Sequence, residues 1–246
     1  MRYLVKPQNG IWVAVTDNFS NDNAVEELRK RTGAVQTWFF DLDDNHADSP
    51  AKKIAKRAIG TNHFSPRYVG WCAKTAWKLA QKGKVAESET WRDYVDSFLR
   101  GEEALEYVRR LFTPESARKS LYSGVEDFCG LVSGAERFYV TRNIAEVAEA
   151  YAGALGFNGF FPESDNKEGV VEEYVRRNSH VVRFGVGGDS DKDAAMIDVL
   201  RFYDKEVLGF YSMDKPNDEV HPKFDFYVSK DRSGLVELLG VHSKVY

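Results

Sequence analysis

The sequence predicts an α/β protein, a doubly wound and mainly parallel sheet of Rossmann-like type interrupted by an inserted all-helical segment. Three observations carry that expectation. The run Val35 to Phe40 ends in Trp38, Phe39 and Phe40 and reads as a strand buried on both faces. From His46 to about Ser120 strand signals vanish and helical periodicity takes over. After Leu121, short apolar runs alternate with amphipathic stretches, the pattern of successive strand and helix units.

In chain order, Tyr3 to Val5 and Ile11 to Val15 read as a hairpin around Asn9 and Gly10, with Pro7 marking an edge strand. Asn23 to Lys30 reads as a helix stopped by Gly33, and the strand running into Asp41 follows. The helical segment carries apolar stripes at Val69, Cys72, Ala73, Ala76, Leu79 and Ala80, then at Trp91, Tyr94, Val95, Phe98 and Leu99. A further stripe covers Ala104, Leu105, Val108, Leu111 and Phe112, and Gly83, Gly101 and Pro114 punctuate the set. Such a segment can form a small bundle, with Trp71, Trp77 and Trp91 as core packing. Beyond it, Val125 to Val132 reads as helix, Arg137 to Val140 as strand, and Ile144 to Leu155 as a helix closed by Gly156. A short strand at Phe160 and Phe161 leads through Lys167 to a helix around Val171 to Arg177. Val181 to Val186, Val207 to Met213 and Phe224 to Val228 supply later strands, and Leu235 to Leu239 a last helix.

In open α/β sheets ligands bind beyond the carboxyl ends of the strands, which gives the polar residues one meeting place. Asp41 and Asp43, Thr141, and Asp189 with Asp193 each follow an apolar strand. Asp41 and Asp43 are two apart and leave an extended backbone on one side. Several carboxylates in one small space repel each other unless a cation lies between them, and hard oxygen ligands of this kind suit Mg²⁺. A hydroxyl at Thr141 and an ammonium at Lys167 beside such a metal would make a socket for phosphate oxygens.

These residues resemble the haloacid dehalogenase superfamily of aspartate-nucleophile hydrolases, specifically its phosphatases. The first motif of that family, a hydrophobic strand followed by DxDx(T/V), appears as FFDLDDN, and the second as FYVT, ending at Thr141. The third, a lone lysine opening a helix, appears as Lys167; the fourth, GDxxxD, as Gly188, Asp189 and Asp193. LYSGVEDF, from Leu121, resembles the stretch that reopens the family's core. Asn45 stands where the family usually has Thr or Val, no Pro follows Lys167, and 34 residues precede Val35.

The resemblance implies a catalytic core of residues 1–45 and 121–246, with residues 1–34 as an N-terminal hairpin and helix extension and residues 46–120 as a helical cap. It implies a phosphatase acting on a small phosphorylated metabolite, with Asp41 as nucleophile, Asp43 as general acid and base, and Thr141 and Lys167 on the phosphoryl oxygens. Mg²⁺ would be held by the Asp41 carboxylate, the Asp43 carbonyl, Asp189 and Asp193, the last directly or through water. Arg142 and Asn143, beside the second motif, are candidate substrate contacts. Family dehalogenases lack an acid at the position of Asp43, which argues against dehalogenation. A phosphomutase with the same nucleophile and a non-catalytic phospholigand-binding protein remain as alternatives.

Composition bounds the partners. The formal charge of −4 over 246 residues argues against a protein that grips nucleic acid or an anionic membrane by bulk charge. Cys72 and Cys129 match no zinc spacing and read as small buried residues in a reducing cytoplasm. The apolar segment Met1 to Val5 is too short for a signal peptide and no run reaches the length of a membrane span, so a soluble cytoplasmic protein is expected. A calcium loop beginning at Asp41 fails because His46 stands where Gly is needed and Lys52 where Glu is needed. A dinucleotide loop at Gly185, Gly187 and Gly188 fails at Ser190.

Overall fold

The computed structural model describes residues 2–19, 23–50, 102–216 and 221–240. The chain divides into two compact units, Met1–Asp48 with Pro114–Tyr246, and Ser49–Thr113. The stripes from Val69 to Ala80 and from Trp91 to Leu99, with Cys72 and the tryptophans Trp71, Trp77 and Trp91, lie outside the described residues. In the second unit, the stripe ending at Phe112 is a helix over Glu102–Leu111, which buries Val108 and Leu111 and exposes an Arg110 to Glu106 ion pair one turn apart.

The larger unit opens with β1 (Arg2–Gln8) and β2 (Ile11–Val15), paired antiparallel. Asn9 and Gly10, with φ of 51° and 80°, form the two-residue turn between them, a geometry that matches the twist of the flanking strands. Helix α1 (Ala24–Ala34) and strand β3 (Thr37–Phe40) follow. Gly33 does not stop α1, contrary to expectation. A glycine inside a helix costs only about 1 kcal/mol relative to alanine, and α1 is anchored by buried Leu28 and Thr32; the chain leaves it at Val35, whose extended backbone enters β3.

With the helix at Glu102–Leu111 as α2, the chain re-enters the larger unit through α3 (Pro114–Arg118) and α4 (Val125–Leu131). Then come β4 (Glu136–Val140), α5 (Ala145–Leu155), β5 (Gly159–Phe161), α6 (Lys167–Arg177), β6 (Arg183–Gly188) and α7 (Asp191–Phe202). Strands β7 (Glu206–Met213) and β8 (Phe226–Ser229) and helix α8 (Ser233–Gly240) complete the described residues. Gly156 closes α5 in the left-handed conformation, as its position predicts. Two helices, α3 and α7, are additions to the sequence reading.

The strands form one sheet in the order β1-β2-β8-β7-β6-β3-β4-β5. From β8 to β5 every pairing is parallel, and the antiparallel hairpin β1 and β2 is appended through β8. Strand β3 lies between β6 and β4, so the chain end of its apolar run is flanked on both sides by strands that also stop at polar residues.

Period-two geometry sorts the rings of β3. Trp38 and Phe40 share one face, stacked at 5.3 Å, with Phe128 of α4 and Phe210 of β7 against them. Phe39 faces the other way, onto Phe184 and Tyr174. This packing explains the glycines of β6. A Cβ on Gly185 would lie 2.1 Å from the Trp38 ring and one on Gly187 2.4 Å from Phe210, so the bare strand admits its neighbours' aromatic rings. No helix among the described residues is long and apolar enough to cross a membrane.

Candidate active site

The site lies where β3, β4 and β6 end. The Asp41 N–H donates to the Gly187 carbonyl at 2.9 Å, which carries the β3–β6 pairing one residue past the strand and sets Asp41 beside the turn into α7. In that turn Asp193 is fully buried: its Oδ2 accepts from the Asp189 N–H at 3.0 Å, the Ser190 N–H at 3.1 Å and the Ser190 hydroxyl at 2.7 Å. Gly188 makes the close approach possible, since a Cβ there would lie 2.2 Å from that of Asp193.

Lys167 reaches the same point from α6. Asn166 caps that helix, its Oδ1 accepting from the Gly169 N–H at 2.9 Å, and so delivers Lys167 at the first helical position. An ammonium at a helix N-terminus opposes the helix dipole. Two carboxylates offset that here: Lys167 Nζ lies 2.8 Å from Asp41 Oδ1 and 2.7 Å from Asp193 Oδ1, with the lysine almost fully buried.

Asp41, Asp189 and Asp193 present carboxylate oxygens within 4.8 Å of one another. Burial, against the partial relief from Lys167, raises the Asp41 pKa to about 7, and burial with the charges of Asp41 and Asp193 holds Asp189 well above the usual carboxylate range. Three carboxylates and one ammonium leave a formal charge of −2 when all are ionised. The donor set is all hard oxygen, so the residues fit a divalent cation of the Mg²⁺ type.

Asp43 stands apart from that cluster. Its Oδ1 is buried without a hydrogen-bond partner among the described residues, and burial raises its pKa while a hydrogen bond from Asn143 pulls the other way. Thr141, at the end of β4, is fully buried; its Oγ1 accepts from the Asn143 N–H at 3.2 Å and from Asn143 Nδ2 at 2.9 Å. With its lone pairs engaged, the Thr141 hydroxyl is oriented to donate its proton. Arg142 turns to the rim, where its Nε donates to Asp165 at 3.0 Å.

Further residues shape the loop from Asp41 to Asn45 without having been legible as site residues. Asp44 has φ of 53°, its carbonyl accepts from the Ser212 hydroxyl at 3.1 Å, and its carboxylate lies 2.6 Å from Lys230, which also reaches Asp214 at 3.0 Å. Asn45 is buried between Asp41 and Arg232. His46 is a packing residue rather than a ligand: it is buried against Phe40 and Phe157, shares a 2.8 Å hydrogen bond with the Tyr139 hydroxyl, and is held uncharged by burial.

No protein-family model matches the sequence, and no curated protein matches it. Solved structures do share the fold. DsGPDH of Dunaliella salina aligns with a TM-score of 0.62 at 15% identity over 87% of this chain, which spans only 37% of that protein. A substrate-bound phosphoserine phosphatase aligns at 0.52 and 15% identity over 84% of this chain and 98% of its own. Cytosolic 5'-nucleotidase IIIB bound to cytidine aligns at 0.51 and 12% identity over 95% and 94%. The chain shares its fold with this phosphoserine phosphatase and this 5'-nucleotidase.

Proposed function

We propose that this protein is a Mg²⁺-dependent phosphatase that hydrolyses a small phosphomonoester through an aspartyl-phosphate on Asp41. The observation that carries the proposal is the placement of Lys167 between Asp41 and Asp193, beside Asp189, at the ends of parallel strands. Asp41 and Asp189, with the Asp43 carbonyl, would hold the metal, which when bound supplies positive charge against nucleophile and phosphate together. Asp193 has one oxygen on Lys167 and the other on three donors, so its part is to hold Lys167 and the Asp189 turn in place.

The chain's own groups then divide the reaction into two displacements. Asp41 attacks phosphorus in line and carries the phosphoryl group. Asp43, whose pKa burial raises, gives a proton to the leaving oxygen and afterwards takes one from the attacking water. Lys167 and the Thr141 hydroxyl contact the equatorial oxygens as charge builds on them.

The inserted segment, whose residues 49–113 form the second compact unit, would act as a cap that excludes bulk water and selects the leaving group. Within the larger unit its two chain connections are pinned together beside Asp43. Ala47 bridges to both Asp43 and Leu121, and the Tyr122 N–H donates to the His46 carbonyl at 2.9 Å. The direct test is turnover of p-nitrophenyl phosphate with and without Mg²⁺. Hydrolysis lost on chelation supports the proposal; absence of hydrolysis across sugar phosphates, nucleotides, phosphoglycolate and phosphoamino acids in Mg²⁺ contradicts it.

A further inference from the structure

Arg232, just before α8, is fully buried, yet among the described residues no carboxylate lies within ion-pair distance of its guanidinium. Leaving an arginine charge inside a protein without a counter-charge is costly, and an apolar side chain of similar volume would serve packing alone as well or better. Its hydrogen bonds go elsewhere. One terminal nitrogen donates to Asn45 Oδ1 at 2.6 Å and to the Asn45 carbonyl at 2.8 Å; the other donates to the Ser229 carbonyl, and the guanidinium lies 5.1 Å over the Phe210 ring.

We infer that Arg232 is a positioning residue for the Asp41 loop and acts through Asn45. Donor and acceptor roles decide how Asn45 is oriented. A guanidinium has donors only, so it fixes Asn45 with the amide oxygen toward itself and the amide nitrogen away from it. That nitrogen donates to the Asp41 carbonyl at 3.1 Å. Asn45 is fully buried and has no freedom to turn over without leaving both partners unmatched. The backbone of Asp41 is therefore held on one side by Gly187 and on the other by an amide whose orientation a distant cation imposes. A valine at position 45 has no polar atom with which to make this bridge.

The anchor is itself held. The Arg232 N–H donates to the Ser123 carbonyl at 2.7 Å. Gly124 follows in the left-handed conformation, φ 72°, and a Cβ there would come within 2.5 Å of the Ser233 nitrogen. The strand-to-helix turn that carries Arg232 is thus pressed against the start of α4, and the guanidinium reaches the loop from a fixed base. Buried groups held this way are what keep a nucleophile within the narrow range of productive geometries.

The inference rests on the reading of Asp41 as nucleophile for its effect on rate, but not for its effect on the loop, and the test separates the two. Asn45→Ala, Arg232→Met and the double variant are compared by hydrogen exchange of the peptide spanning Phe40 to Ala47 in the metal-free protein, and by kcat and KM for p-nitrophenyl phosphate. Each single variant should lose loop protection by about tenfold or more and kcat by about ten- to a hundredfold, with KM within about twofold. The double variant should be no worse than the poorer single, because both break one chain of contacts. Losses that multiply, or an Arg232→Met protein with native loop protection, would overturn the inference. Should Arg232→Met fail to fold, Asn45→Asp decides: it keeps an acceptor for Arg232, now with a counter-charge, and removes the donor to Asp41, so loop protection falls although the fold is kept if the inference holds and stays native if it does not. If the wild type hydrolyses no phosphoester, the proposed function fails while the exchange data still decide the role of Arg232.

Discussion

Replacing Lys167 by methionine tests the electrostatic core of the site. The ammonium is nearly inaccessible, at 2% exposure, and touches two carboxylates at 2.8 and 2.7 Å whose side chains are 10% and 0% exposed. Removing one partner of a buried pair costs about 3 to 5 kcal/mol, because the remaining charge stays buried without compensation. Lys167→Met should lose stability on that scale at pH 8, and the loss should depend on pH with a definite sign. With Lys167 absent the Asp41 pKa, already raised to about 7 against the pull of the ammonium, rises further. A carboxyl whose folded pKa exceeds its unfolded value binds its proton more tightly in the folded state. It contributes stability below the unfolded value, and that contribution is lost as pH climbs to the folded one. The variant should therefore approach the wild type near pH 5 and fall behind it toward pH 8, and Mg²⁺ should restore part of the difference by supplying the missing positive charge. Urea denaturation at both pH values, with and without Mg²⁺, reads all three effects. A loss below about 1 kcal/mol at pH 8, or one that grows on acidification, would refute the reasoning.

Three other expectations follow from particular residues. Gly185→Ala should destabilise the protein by about 1 to 3 kcal/mol or more, because the added methyl collides with the Trp38 ring; an unchanged urea midpoint would mean that β6 does not need its glycine. The Cys129 thiol, buried and pushed up to about 12, should resist iodoacetamide in the native protein and react once it unfolds, which peptide mapping of the alkylated chain would check. Replacing residues 49–113 by a short linker, in a core shown by circular dichroism to fold, should retain hydrolysis of p-nitrophenyl phosphate and flatten the ranking of physiological phosphates; an unaltered ranking would remove the cap from the specificity account.

What the sequence made legible follows its local physics. Apolar runs that stop at polar residues marked β3, β4 and β6, and the same stops placed Asp41, Thr141 and Asp189 at one rim. Lys167 was visible as an isolated lysine at a helix start. Helix α7 was harder to see because its first turn, Asp191 to Asp193, is acidic and reads as site chemistry before the buried positions Ala194, Ile197 and Leu200 establish a period. The antiparallel join of β2 to β8 was hidden for a different reason: alternation of strand and helix says nothing about how a leading hairpin meets the last strand. Arg232 is the clearest case of the unreadable. It meets Asn45 across 187 residues, and no local period or spacing encodes such a contact. Asn45 itself signalled only that something unusual lay at the end of the loop. Gly185 and Gly187 showed the converse, a motif-like spacing produced by aromatic packing on adjacent strands.

The central claim is that Asp41 accepts the phosphoryl group, and rapid acid quench of the protein mixed with a phosphomonoester in Mg²⁺ tests it most directly. Peptide mapping should find one added phosphoryl group on the peptide containing Asp41, and the Asp41→Asn protein should show neither the adduct nor turnover. Hydrolysis at the wild-type rate by Asp41→Asn, or a phosphoryl group mapped to another residue, would contradict the account.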